Sequence, residues 1–133
     1  MLQRVTVRTG AQCEFMDITG LLQQAVAKSG VGEGVLFATV PHTTAGITLN
    51  ENADPAVRAD IEQTLRRLVP DLADYAHAEG NSAAHVKASL VGSSVTLLIS
   101  GGRLALGRWQ GVYFCEFDGP RTREVLVRVA GLP

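Results

Sequence analysis

The chain has 133 residues, of which 46% are hydrophobic and 19% charged, and its formal net charge is −1. This length predicts one domain, residues 1–133, that buries enough surface to fold without disulfides or a structural metal. The near-neutral balance argues against a nucleic-acid-binding protein, and no apolar run approaches the ~18 residues of a membrane helix. The N-terminus lacks the apolar segment of a signal peptide. We therefore expect a cytoplasmic protein in which Cys13 and Cys115 are reduced core thiols.

The N-terminal residues predict a β-hairpin. Residues 3–8 alternate polar and apolar side chains with period two, which is typical of a half-buried strand. Residues 9–11 have the composition of a turn, and residues 12–16 predict a second strand that returns beside the first.

A helix and two further strands follow the hairpin. Asp17 can cap the helix, whose apolar stripe over residues 18–26 lies on one face and which ends at Gly30. The short apolar run 34–40 predicts a strand buried on both faces, and residues 45–50 resume an extended pattern.

The middle of the chain predicts a second helix, a loop and an ambiguous segment. Asp54 and Pro55 form a helix N-terminus, because proline is tolerated at the first helical position. Apolar residues at 57–68 line one helical face, and Pro70 stops the helix. The segment 71–81 predicts a loop, while 83–91 fits either a short helix or a strand.

The C-terminal part predicts three strands, at 94–100, 109–117 and 123–129, separated by glycine-rich turns. The resulting order, ββαββααβββ, has strands that can pair antiparallel at both ends and helices between them. It predicts an α+β fold and disfavours a doubly wound parallel sheet.

The three histidines His42, His77 and His85 each lie in a polar or small-residue segment, outside the apolar stripes. Imidazole can act as an acid or base, a metal ligand or a polar anchor. The spacings match no zinc-finger or zinc-protease motif, so three unrelated surface histidines are the alternative.

The segment before the second helix offers two carboxylates and two amides. Asp54 is explained as a helix cap, whereas Asn50 and Glu51 have no evident structural role and are the stronger site candidates. Oxygen-rich groups at such a junction suit Mg²⁺.

Two later segments could contact phosphate. The glycines and arginines of 101–110 allow close backbone approach, but neither nucleotide-binding motif is present, so we expect no nucleotide cofactor. The same segment holds Trp109, which by itself is best explained as a core residue. Arg121 and Arg123 share one side of an extended stretch and could grip a phosphorylated ligand or another subunit; solvated turn charges are the alternative.

Three segments, 41–55, 80–92 and 106–123, resemble the YjbQ family, also labelled secondary thiamine-phosphate synthase enzymes. The resemblance covers essentially the whole chain in the family's order. One departure is Arg108, where the family usually has threonine before Trp-Gln.

The resemblance implies a two-sheet β-sandwich with inserted helices, a homotrimer, and a pocket of His, Asn and Glu residues near a subunit boundary. It also implies a weak thiamine-phosphate synthase activity, which joins a pyrimidine diphosphate to a thiazole phosphate. The positions carried over from the family are His42, Thr43, Thr44, Asn50, Glu51, Asp54, Asn81, His85, Trp109, Gln110, Glu116 and Arg121, with His77 as a further match.

Two hypotheses of different classes follow. As a transferase, the chain would use His42, His85 and Glu51 in catalysis. Pyrophosphate departure needs positive charge, from Mg²⁺ on carboxylates such as Glu116 or from Lys87 and the arginines; three histidines with Glu116 would instead suit zinc. The ligand-binding candidates are Thr43, Thr44, Asn50, Asn81, Lys87, Trp109, Gln110 and Arg121. As a non-catalytic trimer, the chain would hold a metal or a small anionic metabolite in the same pocket.

Overall fold

The computed structural model describes residues 1–133 as eight strands and three helices. In chain order these are β1 Gln3–Arg8, β2 Glu14–Asp17, α1 Thr19–Ser29, β3 Gly34–Thr39, β4 Ala45–Glu51, α2 Pro55–Leu68, α3 Ser82–Val91, β5 Ser94–Ser100, β6 Arg103–Leu104, β7 Gln110–Glu116 and β8 Thr122–Gly131. This is the predicted order with one addition, the two-residue strand β6.

The strands form two antiparallel sheets. The larger sheet has the order β1-β8-β3-β5-β6, and the smaller has the order β2-β7-β4. The α+β class and the two-sheet sandwich are therefore confirmed.

The main core lies between the two sheets. Strand β7 shows how it is built, because Val112 and Phe114 point into this core while Tyr113 and Cys115 point to the opposite face. Helix α1 contributes its buried stripe, including Leu22, to the same core.

A second core covers the other face of the smaller sheet. Tyr113 and Cys115 pack there against Ala84 and Ala88 of α3, with apolar side chains of α2 at the margin. Both cysteines are free thiols; Cys115 is fully buried, whereas Cys13 is half-buried at the edge of this core. The smaller sheet is thus covered on both faces.

The larger sheet has one open face. Its inward residues face the main core, but its outward residues include Phe37, which is 47% exposed, and Leu98, which is 62% exposed. No helix packs over them, because α2 and α3 belong to the smaller sheet and α1 to the main core.

The predicted N-terminal hairpin is wrong. Strand β1 pairs with β8, so that Thr6 lies opposite Glu124, and β2 pairs with β7, so that Phe15 lies opposite Cys115. Residues 9–13 therefore carry the chain from one sheet to the other. These residues form an irregular connection in place of the predicted tight turn.

The helix signals are largely confirmed. The Asp54 carboxylate accepts from Ala56 N at 2.9 Å, and Gly30 ends α1 with φ of 74°, a left-handed conformation that glycine adopts at little cost. Asp17 precedes α1 and accepts from Thr19 N at 2.9 Å, although Ile18 occupies the cap position itself. None of the helices has the length and apolar character needed to cross a membrane.

Candidate functional site

A polar cleft opens where the β3–β4 loop, the start of α3 and the β7–β8 loop meet. Its volume is ≈ 370 Å³. The lining residues are Pro41, His42, Thr43, Thr44, Glu79, Asn81, His85, Asp118, Arg121 and Arg123. All but the proline are polar or charged, and we call this region the histidine cleft.

His85 lies at the junction of the histidine cleft and two neighbouring hollows. One hollow, of ≈ 380 Å³, is shared with His42, and the other, of ≈ 450 Å³, with His77. The rings of His77 and His85 meet edge to face with centroids 5.6 Å apart. The structure therefore places the three histidines around adjoining hollows that share His85.

One wall of the histidine cleft is a buried ion pair between Arg123 and Glu116. Arg123 Nε donates to Glu116 Oε1 at 2.8 Å, and Arg123 Nη2 donates both to Glu116 Oε2 and, at 2.9 Å, to Thr44 Oγ1. Thr9 Oγ1 donates to Glu116 Oε1 at 2.8 Å. These bonds lock the guanidinium in the wall.

The Glu116 carboxylate is kept charged by this network. Burial alone would raise the pKa of its carboxyl, but hydrogen bonds from Arg123, the backbone N–H of Asp118 and Thr9 outweigh that effect and hold the pKa below its ordinary value. Both oxygens are already occupied as acceptors. The predicted role of Glu116 as a metal ligand is therefore replaced by a structural one.

His42 is anchored to β8. Its Nε2 accepts the backbone N–H of Glu124 at 2.9 Å. Burial, followed by the positive charge of Arg123, lowers the pKa of the imidazole below its ordinary value of 6.5, so the ring is neutral at pH 7.

Asp118 organises the rim of the histidine cleft. Its carboxylate accepts from Asn81 Nδ2 at 3.0 Å and from Arg121 Nη2 at 3.1 Å, and its carbonyl accepts from Arg121 Nε at 2.7 Å. Asn81 Oδ1 is enclosed and has no partner. Asp118 is a site residue that the sequence interpretation missed, although it precedes the Gly-Pro turn that carries the two arginines.

The residues present do not fit a resident metal. No group of three or more His, Cys, Asp or Glu side chains is arranged to hold one. Glu116 is used by Arg123, and the carboxylates of Glu51 and Asp54 lie at the other end of β4.

Lys87 does not line the histidine cleft. Its side chain is almost fully buried beside Phe117 and is 3.7 Å from Asp71. It borders a separate small hollow together with Cys13. The sequence predicted Lys87 as a ligand-binding residue, but on helix α3 it points away from the histidine cleft.

The remaining candidates lie at the opposite end of the smaller sheet. Glu51 pairs with Gln110 at one end of the β4–β7 ladder, and Ala45 pairs with Glu116 at the other. Six residue steps separate the two ends, roughly 20 Å at the rise of an extended strand. We call the residues Asn50, Glu51, Trp109 and Gln110 the tryptophan end.

Trp109 is not a core residue, so that prediction is wrong. Its side chain is 55% exposed, and the Arg108 guanidinium stacks on the indole at 4.9 Å from the ring centroid. The hydrophobic neighbours of β7 fill both cores without it.

The polar groups at the tryptophan end have local structural partners. Glu51 Oε2 accepts from Asp54 N at 3.1 Å, and Gln110 Oε1 accepts from Gly107 N at 2.8 Å. Asn50 Oδ1 accepts from Glu51 N at 2.7 Å. The expectation that Asn50 and Glu51 have no structural role is therefore wrong.

The fold and the cleft together define a class: a small two-sheet sandwich with a polar cleft at one end of its smaller sheet. A family model described as UPF0047 protein YjbQ-like matches residues 3–132. Among curated proteins, UPF0047 protein MJ1081 of Methanocaldococcus jannaschii is 49% identical, with 98% of this chain and 95% of that protein covered. UPF0047 protein YugU of Bacillus subtilis is 44% identical, with 98% and 100% covered.

Solved structures of this family have the same fold as the chain. A conserved protein of the YjbQ/UPF0047 family from Clostridium acetobutylicum is 52% identical with a TM-score of 0.94, covering 96% of this chain and 99% of that one. A YbjQ-like protein of unknown function from Sulfolobus solfataricus is 30% identical with a TM-score of 0.93, covering 99% and 97%. The chain belongs to the YjbQ/UPF0047 family.

Proposed function

We propose that the histidine cleft binds a small phosphorylated metabolite. The observation that carries this proposal is that every residue lining the cleft except Pro41 is polar or charged, and several of them are hydrogen-bond donors. His42, His85 and Arg121 border it, and α3 begins beside it with no side chain capping its first turn. Free backbone N–H groups at a helix start, next to an arginine, favour an anion.

The reaction that we propose is transfer with release of pyrophosphate, as in thiamine-phosphate synthesis. The ring nitrogen of the thiazole phosphate donates its lone pair to the carbon that bears the diphosphate and forms a C–N bond. The bond between that carbon and the diphosphate oxygen breaks, and the leaving pyrophosphate takes the electron pair. Arg121 and the start of α3 stabilise the negative charge that develops there. His85 supplies a proton to the leaving group, because its ring is engaged only by the contact with His77.

Pyrophosphate release tests this reaction directly. We expect His85→Ala to lower the rate by about 100-fold or more, as loss of a general acid does. His77→Ala is the matched control, because His77 lies beside His85 but does not line the histidine cleft. Equal rates for the wild type and His85→Ala would exclude a catalytic role of His85.

A non-catalytic binding protein is the second candidate. It is favoured by the lack of any carboxylate or histidine group arranged to hold the cation that commonly accompanies a diphosphate. Pyrophosphate or thiamine phosphate would then raise the melting temperature, because a ligand of the folded state stabilises it by about 2.7 kcal/mol at 100 times Kd. Stabilisation without turnover would establish this alternative.

We also propose that the chain assembles as a homotrimer, as the resemblance implies. The open face with Phe37 and Leu98 offers apolar surface for a second copy. In a cyclic trimer each contact joins two different regions, so the tryptophan end of one subunit can approach the histidine cleft of the next. Such a contact would bring the family positions of the tryptophan end close to those of the histidine cleft, although the two groups lie apart within one chain.

Light scattering and a mixing experiment test the assembly. We expect a particle of three times the 14.1 kDa chain mass, and dissociation on Phe37→Lys. Trimers reassembled from His85→Ala and Trp109→Ala chains should regain pyrophosphate release that neither variant shows alone. A monomeric wild type would overturn the proposal.

A further inference from the structure

His42 uses one ring nitrogen for a bond that β3 cannot supply. The pairing of β3 with β8 ends at Thr39 and Leu126, and the same register would bring Pro41 opposite Glu124. Because β3 stops before that point, the Glu124 N–H has no strand partner there and donates to His42 Nε2 at 2.9 Å.

This bond determines where the imidazole carries its proton. A nitrogen that accepts an N–H must present its lone pair, so the neutral ring holds its hydrogen on Nδ1. A proton on Nε2 would point at the Glu124 N–H, and two donors cannot form a hydrogen bond with each other. A metal needs a lone pair as well, and Nδ1 gains one only if its proton moves to Nε2 and breaks the bond to Glu124.

Nδ1 is the free end of the ring. It has no acceptor in the protein. Asn81 Oδ1 is the one enclosed side-chain polar atom without a partner, so Nδ1, which also lacks a partner, is not enclosed. His42 borders both the histidine cleft and the hollow that it shares with His85. An acceptor atom of a bound ligand can therefore reach this N–H.

We infer that His42 is a fixed Nδ1–H donor to an anionic oxygen of the ligand. It neither binds a metal nor transfers a proton during the reaction. This inference rests on the proposed anion-binding function and adds to it a division of work between the two histidines. His42 selects an acceptor oxygen, and His85, whose ring accepts no backbone N–H, is left for proton transfer.

Nitrogen NMR of the full-length ¹⁵N-labelled chain tests the donor state without any activity measurement. Long-range proton–nitrogen spectra at pH 7.5, with His42→Asn used to assign the signals, should show Nδ1 protonated and Nε2 unprotonated. Zn²⁺ should leave both His42 nitrogens unchanged. A proton on Nε2, or a shift of either His42 nitrogen on addition of Zn²⁺, would overturn the inference.

Pyrophosphate binding to two variants tests the ligand contact. His42→Asn keeps an amide N–H near the position of Nδ1, whereas His42→Ala keeps no donor. We expect the Kd for pyrophosphate to rise about tenfold or more in His42→Ala and to stay within about threefold in His42→Asn. An equal loss in both folded variants would overturn the role as a donor.

The two proposals fail in different ways. If the wild type binds no pyrophosphate while Nδ1 carries the proton, the anion-binding function is wrong and the ligand contact falls with it. If pyrophosphate binds but Nε2 carries the proton, only the inference about His42 is wrong. The spectra of the wild type decide this even if His42→Ala does not fold.

Discussion

The histidine cleft and the tryptophan end lie at opposite ends of β4 and β7, and they differ in how their polar groups are satisfied. In the histidine cleft, Glu116 is held by Thr9, which is 107 positions away in the sequence, and by Arg123. At the tryptophan end, Glu51 and Gln110 each accept from a backbone N–H three positions away.

This difference shows where polar groups cost folding free energy. The Glu116–Arg123 pair is buried, and burial of two charges is unfavourable unless their hydrogen bonds are complete. The hydrogen bonds at the tryptophan end are exposed and join residues three positions apart. They therefore form without contacts from distant parts of the chain. The histidine cleft depends on the whole tertiary structure.

The largest expected effect comes from breaking the buried pair. Arg123→Met should destabilise the chain by about 3–5 kcal/mol, because it leaves the Glu116 charge buried without its partner. Urea unfolding measures the loss. Arg121→Met is the matched control, since its exposed bond to Asp118 should cost about 1 kcal/mol or less. Similar losses in both variants would contradict the contrast between the two arginines.

The pH dependence of unfolding gives a second, smaller effect. The pKa of Glu116 lies below its ordinary value of 4.5 in the folded state, so the unfolded state takes up a proton first as the pH falls. The contribution of Glu116 to stability is therefore complete above pH 4.5 and is lost as the pH falls below it. Glu116→Gln should flatten the stability profile in this range; an unchanged slope would show that other carboxylates cause it.

The smallest effect should come from the tryptophan end. Trp109→Ala should lower the free energy of unfolding by about 1 kcal/mol or less, as expected for an exposed side chain. Phe114→Ala, at a fully buried position of the same strand region, should cost about 3–5 kcal/mol. A large loss in the trimer and a small one in the dissociated Phe37→Lys background would assign the difference to the proposed subunit contact. A loss as large as that at Phe114 in both backgrounds would contradict the exposed position of Trp109.

Local signals predicted the helices well. Asp54 with Pro55 starts α2 and Pro70 follows its end, because capping and the missing proline N–H act over a few neighbouring residues. Strand pairing is different. β1 contacts β8 across almost the whole chain, and nothing within residues 3–16 distinguishes that partner from a nearby hairpin.

The site residues show the same limit. The resemblance implies a shared pocket, and the structure places His42, Asn81, His85 and Arg121 around one cleft; Lys87, which was predicted as a phosphate ligand for its positive charge, lies elsewhere. The segment 83–91 fitted a strand or a helix, and residues two apart share a face only in a strand. Because α3 is a helix, His85 and Lys87 point to opposite sides, and Lys87 turns toward the second core.

The position of β8 has a consequence for the newly made chain. β8 is synthesised after both of the strands with which it pairs, yet it lies between β1 and β3 and is the sole strand neighbour of β1. Until residues 122–131 leave the ribosome, β1 has no partner and one edge of β3 is bare. Unpaired edges favour aggregation, so premature termination before Thr122 should yield an insoluble fragment.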